Sequence, residues 1–124
     1  MMSLDNAVQS YKNAENIYAK GIETPHGRIQ IVFDVIQKNL DKLTQSHPKT
    51  DFMAYGKVLQ GIVILSGSLD MEKGGQMADE LNEIYAYCDR ILREYLESKN
   101  SKTLEEVQSI ISGIADSWAQ IETQ

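Results

Sequence analysis

The stretch LDMEKGGQMADELNEIYAYCDRIL, residues 69–92, sets two adjacent glycines between a greasy run and a strongly periodic one. Glycine tolerates the left-handed conformation that closes a helix. Gly74-Gly75 therefore predicts the corner of a helical hairpin, with the charged pair Glu72-Lys73 keeping that corner in water. Downstream, Leu81, Ile84, Tyr85, Cys88, Ile91, Leu92 and Tyr95 recur at three- and four-residue spacing, the signature of an amphipathic helix. The polar run 98–101 predicts its stop.

Working outward, Thr103-Leu-Glu-Glu106 reads as a capping box that opens a last helix, whose stripe is Leu104, Val107, Ile110, Ile111, Ile114, Trp118 and Ile121. Upstream of the glycines, a helix is expected from Thr50-Asp51 to about Met71, carrying Phe52, Tyr55, Leu59, Ile62, Val63 and Leu69 inward. Before it, Thr24-Pro25 is a helix start, a threonine cap followed by a proline whose missing N–H costs nothing. Ile29, Val32, Phe33, Ile36, Leu40 and Leu43 form its stripe. Pro48 disfavours helical geometry at His47 and predicts an end near Ser46. Short connections make consecutive helices antiparallel neighbours. The expected fold is all-α: one antiparallel up-down four-helix bundle over residues 24–124. Residues 1–23, with weak spacing at Ala7, Tyr11, Ala14 and Tyr18 and a break at Gly21, read as an extra short N-terminal helix or strap.

The bulk numbers narrow the function. With 124 residues, the chain can bury a core without metal or disulfide staples. A net charge of −6 with interspersed Lys and Arg excludes a phosphate-binding face, so no nucleic-acid partner is expected. The single Cys88 reads as a small core residue that fits a reducing compartment. The leading residues lack a signal-peptide core and no run is long enough to span a membrane, so a cytoplasmic protein with no membrane insertion is expected.

No chemistry assembles. A di-metal bundle needs paired Glu-x-x-His motifs. Only Glu23-Thr-Pro-His26 matches, with Glu23 outside the helix, and His47 has Thr44 where the glutamate should stand. Phosphotransfer needs an exposed mid-helix histidine, whereas both histidines sit at helix ends and read as solvated. No nucleophile-histidine-acid set can be placed. Acidic runs such as Asp79-Glu80 and Glu105-Glu106 read as solvated faces. No catalytic residue, metal ligand or cofactor is expected, and the chain is not expected to be an enzyme.

What remains is spare apolar surface. A bundle helix needs an inward stripe somewhat over 100° wide. Ile31 and Val35 widen the first helix well beyond that, and Met53, Ile64 and Met71 lie off the main stripe of the second. They predict a second seam, either covered by the strap through Tyr11, Tyr18 and Ile22, or serving as a groove for an amphipathic segment of another protein. The two readings are compatible if the strap is a displaceable lid. A self-associating regulatory or structural bundle is the alternative.

The stretch 69–92 resembles the flagellar export chaperone FliS family, in which Leu-Asp-x-Glu-x-Gly-Gly precedes an amphipathic helix. The matching positions are Leu69, Asp70, Glu72, Gly74, Gly75, Leu81, Ile84 and Tyr85. KTLEEVQSIISGIADSWAQI resembles the family's closing helix through Leu104, Glu106, Val107 and Trp118. YAKGIETP followed by IQIVFDVI resembles its entry into the first helix, with Phe33-Asp34 where the family has Tyr-Asp and Gly27-Arg28 as a further departure. The resemblance spans residues 18–122. It implies a cytosolic chaperone that binds the disordered C-terminal region of flagellin, blocks premature polymerisation and keeps the subunit ready for type III export. Export-apparatus or flagellar regulatory proteins are further partners in that reading. The groove residues are then Ile31, Val35, Met53, Ile64 and Met71, with Tyr18 and Ile22 in the lid.

Overall fold

The computed structural model describes residues 25–69 and 71–120, apart from the side chains of residues 25 and 71–73. Four helices account for nearly all of it: α1 (Pro25–Ser46), α2 (Phe52–Gly67), α3 (Met71–Ser98) and α4 (Ser101–Gln120). α1 packs against α2 and α4, and α3 closes the square by packing against the same two. This is the expected helical bundle. The strap expected over residues 1–23, and with it Tyr11, Tyr18 and Ile22, lies outside the described residues.

The interior is built by one stripe from each helix. Val32, Ile36, Leu40 and Leu43 meet Val58, Ile62 and Leu65, and opposite them stand Leu92, Tyr95, Leu104, Val107 and Ile111. α1 and α2 approach closely at Gly61. A Cβ there would lie 2.4 Å from Cγ1 of Ile36, so glycine is what lets the two backbones come together. Tyr55 ties α2 to α3, its hydroxyl donating to the Leu92 carbonyl at 2.9 Å.

The connections depart from the sequence reading in three places. The α2 helix begins where expected, with the Asp51 carboxylate accepting from the Ala54 N–H at 3.1 Å, but it ends at Gly67 with Ser68 as its cap. Leu69 is therefore outside it. Gly74-Gly75 does not terminate α2. It breaks the helical path inside α3, where Gly75 adopts φ 53° and ψ −130° and turns a short leading segment into the long helix that follows. The corner is thus made in two steps, a cap at Ser68 and a glycine kink. The α4 helix opens at Ser101, not at Thr103. Asn100 accepts from the Lys102 N–H at 3.0 Å, so an asparagine cap precedes the expected capping box and places Thr103 within the first turn.

Only glycine reaches the Gly75 conformation without strain. Gly75→Ala is expected to lower stability by about 1–3 kcal/mol, read as a lower urea midpoint. A midpoint equal to that of the parent would show that the kink is not held.

Cys88 is fully buried, and burial pushes its thiol up to about 11 from the ordinary 9.0. Burial likewise pushes the Tyr85 phenol up to about 12. Between pH 9 and 11 the unfolded chain releases the thiol proton while the folded chain keeps it, so stability falls as pH rises. The loss from Cys88 is on the order of 2–3 kcal/mol. Urea midpoints should decline across that window, and Cys88→Ala should remove the part of the decline that Cys88 causes. An undiminished slope in the variant would contradict this.

Candidate functional site: an apolar seam beside α2

Three contacts fix which way α1 faces. His26 stacks on Trp118 with ring centroids 4.8 Å apart, the Gln37 amide donates to Ser112 Oγ at 3.2 Å, and Gln108 donates to Asp41 at 2.6 Å. His26, Gln37 and Asp41 therefore face α4, and Ile36 faces α2 through Gly61. At about 100° per residue, Val35 lies about 200° round from Gln37, beyond the α2 contact. Ile31 shares that flank. On α2, Ile64 lies about 60° from Gly61, on the side away from Tyr55 and α3. By that count Ile31, Val35 and Ile64 lie on the outer flank of the α1–α2 interface, and all three belong to the one buried core cluster. Their exposures are 3%, 5% and 2%, so the seam is closed to water.

Asn39 continues the α1 flank. Although polar it is 3% exposed, and its amide donates to the Val35 carbonyl at 2.8 Å. Met53 lies on the same side of α2 as Ile64, about 16 Å toward the helix start. It is 76% exposed. The side chain of Met71 lies outside the described residues.

The outer side of α2 holds residues that the sequence reading misplaced. Phe52 and Val63 were expected to point inward but are 67% and 60% exposed. Tyr55, Val58, Ile62 and Leu65 already fill the α2 share of the core, and Phe52 and Val63 project past its edge. Between Phe52 and Gly67 the only charged residue is Lys57. A helix that is apolar all round belongs inside something. The sequence signal was therefore the absence of charge, which counting inward positions did not weigh.

Neither histidine is a solvated terminus residue. His26 Nε2 lies 2.8 Å from the Trp118 carbonyl oxygen, and Trp118 Nε1 donates back to the His26 carbonyl at 3.1 Å. At the other end of the bundle, His47 Nδ1 lies 2.5 Å from the Tyr95 hydroxyl. Both rings fasten helices to one another. Among the described residues no group of His, Cys, Asp and Glu could hold a metal ion, and no helix is long and apolar enough to cross a membrane.

Residues 4–124 match the family described as flagellar protein FliS. The chain belongs to the FliS family. Its relatives include the flagellar secretion chaperone FliS of Salmonella typhimurium, 32% identical over 79% of this chain and 76% of that one. The flagellar secretion chaperone FliSB of Pseudomonas aeruginosa is 28% identical over 76% of this chain and 78% of its own. FliS of Vibrio cholerae is 24% identical over 93% and 88% respectively. This FliS-family chain is accordingly a flagellar export chaperone, from a family of chaperones and not of enzymes. Among the described residues, the outer side of α2 exposes Phe52, Met53 and Val63, with Lys57 as the helix's one charge.

Proposed function

We propose that this chaperone acts in the cytoplasm on flagellin, binding the disordered C-terminal region as short helices laid along the bundle. Held there, the subunit cannot polymerise prematurely and stays competent for type III export. The carrying observation is the near absence of charge on α2 together with the exposure of Phe52, Met53 and Val63 beside the seam. An unfolded partner loses conformational freedom when it docks and must cover a long apolar surface to offset that loss. The exposed Phe52, Met53 and Val63 on α2 offer part of such a surface, with the Ile31–Ile64 seam beneath as the rest once uncovered.

In this reading Ile31, Val35, Met53, Ile64 and Met71 contact the client. Ile31, Val35 and Ile64 are closed to water in the free chain, so the client reaches them by displacing a cover. Residues 1–23 are assigned that role, with Tyr18 and Ile22 as the lid side chains. A displaceable lid protects the seam when empty and lowers apparent affinity by the fraction of chains that are closed.

Full-length flagellin and flagellin cut short of its C-terminal region distinguish the readings in a co-elution experiment. The intact subunit should run with the chaperone as a one-to-one complex and the truncated one should run free. If both run free while the chaperone alone grows in size with concentration, the apolar strip serves self-association instead.

A further inference from the structure

On the side of the bundle away from the α1–α2 seam, an open cleft of about 450 Å³ lies between α3 and α4. Ile84 and Tyr87 line it from α3, Ile110 lines it from α4, and Glu80 and Glu83 complete the lining. The Tyr87 hydroxyl reaches across to α4 and donates to Glu106 at 2.5 Å, which brings a third carboxylate to the same place. Arg90 lies over the Tyr87 ring, 5.2 Å from its centroid, and pairs with Glu94 at 3.4 Å. Among the described residues, the Glu80 carboxylate accepts the Gln76 amide at 3.1 Å and neither Glu80 nor Glu83 meets a cation.

We infer that this cleft is a docking site for a basic amphipathic helix of a second protein, distinct from the client surface. Apolar side chains from neighbouring turns of that helix fill the space between Ile84, Tyr87 and Ile110. Lysines or arginines flanking them meet Glu80, Glu83 and Glu106. Charge selects this occupant over the others available. A second copy of the chain carries a net charge of −6 and would approach an acidic surface with like charge. The chain's own first 24 residues hold Lys12 and Lys20 against Asp5, Glu15 and Glu23, and supply no basic face.

The test uses the full chain, labelled for NMR, and a synthetic helical peptide with two leucines four residues apart flanked by lysines. The largest amide shifts are expected at Ile84, Tyr87 and Ile110. Affinity should fall at least tenfold when the peptide lysines become glutamates, and at least tenfold in a chain carrying Glu80→Lys and Glu83→Lys. Both positions are exposed, so the charge-reversed chain should keep its unfolding midpoint. Shifts confined to other faces, no binding, or equal binding of both peptides would overturn the proposal. Titrating a flagellin C-terminal segment into the charge-reversed chain separates this site from the client surface. Unchanged affinity supports two sites, and a loss makes the cleft part of one client surface. Dimerisation of the parent chain that the charge reversal abolishes would give the cleft to a second copy and also overturn the proposal.

Discussion

A chain carrying Met53→Asp and Val63→Asp is expected to lose about a hundredfold in affinity for a flagellin C-terminal segment while keeping its helical content. The direction follows from placement. Both side chains stand in water in the free chain, so a carboxylate there removes no core packing. In the complex each carboxylate would face an apolar partner, with Lys57, one turn from position 53, the one α2 cation within reach. Each such change at a buried interface position costs on the order of 1.4 kcal/mol, which is tenfold, so the pair gives about a hundredfold. Calorimetry gives the affinity, and circular dichroism checks the fold. Ile64→Asp is the wrong tool, because Ile64 is 2% exposed and its loss would unfold the chain along with the seam. Parent-like affinity in the double variant would remove the outer side of α2 from the client surface.

The largest loss of stability is expected at Tyr95. Its side chain is fully buried, its hydroxyl meets the His47 ring at 2.5 Å, and the Lys99 ammonium lies 5.5 Å from its ring centroid. Lys99 in turn donates to Thr50 Oγ1, so one side chain gathers the α1–α2 connection and the end of α3. Tyr95→Ala should cost about 3–5 kcal/mol, a large share of the stability of a single domain. Tyr95→Phe keeps the ring and leaves the histidine without its partner, at about 1–2 kcal/mol. Urea unfolding of the two variants separates packing from the hydrogen bond. A Tyr95→Ala loss below about 1 kcal/mol would mean that this end of the bundle collapses around the gap.

The stripes of α1, α3 and α4 were legible because strong period and unambiguous punctuation coincide there. Pro25 and the 98–101 run bracket helices whose apolar faces are wide enough to read. Ile31 and Val35 stand out for the same reason, as residues beyond the inward arc of an otherwise regular helix, and the structure buries both in the core cluster. In α2 that logic failed. With apolar residues on every side, period cannot separate core from surface, and Phe52 and Val63 were drawn inward by their hydrophobicity alone. The α2–α3 corner failed differently. Ser68 is an unremarkable residue in sequence, while the double glycine is conspicuous and was given the whole turn. At α4, Asn100 took the capping role expected of Thr103 because two strong caps lay within one helical turn. The α3–α4 cleft was hidden altogether. Glu80 and Glu83 share one face of α3, but Glu106 and Ile110 come from α4, and only the pairing of the two helices brings them together round Ile84.

On the proposed function, an apolar surface of this FliS-family chain receives the disordered end of flagellin. Calorimetric titration with that C-terminal segment at two temperatures tests it most directly. One-to-one binding is expected, with an enthalpy that becomes more favourable on warming, the negative heat-capacity change of apolar burial. A folded chain that gives no heat and no complex with the segment at either temperature would contradict it.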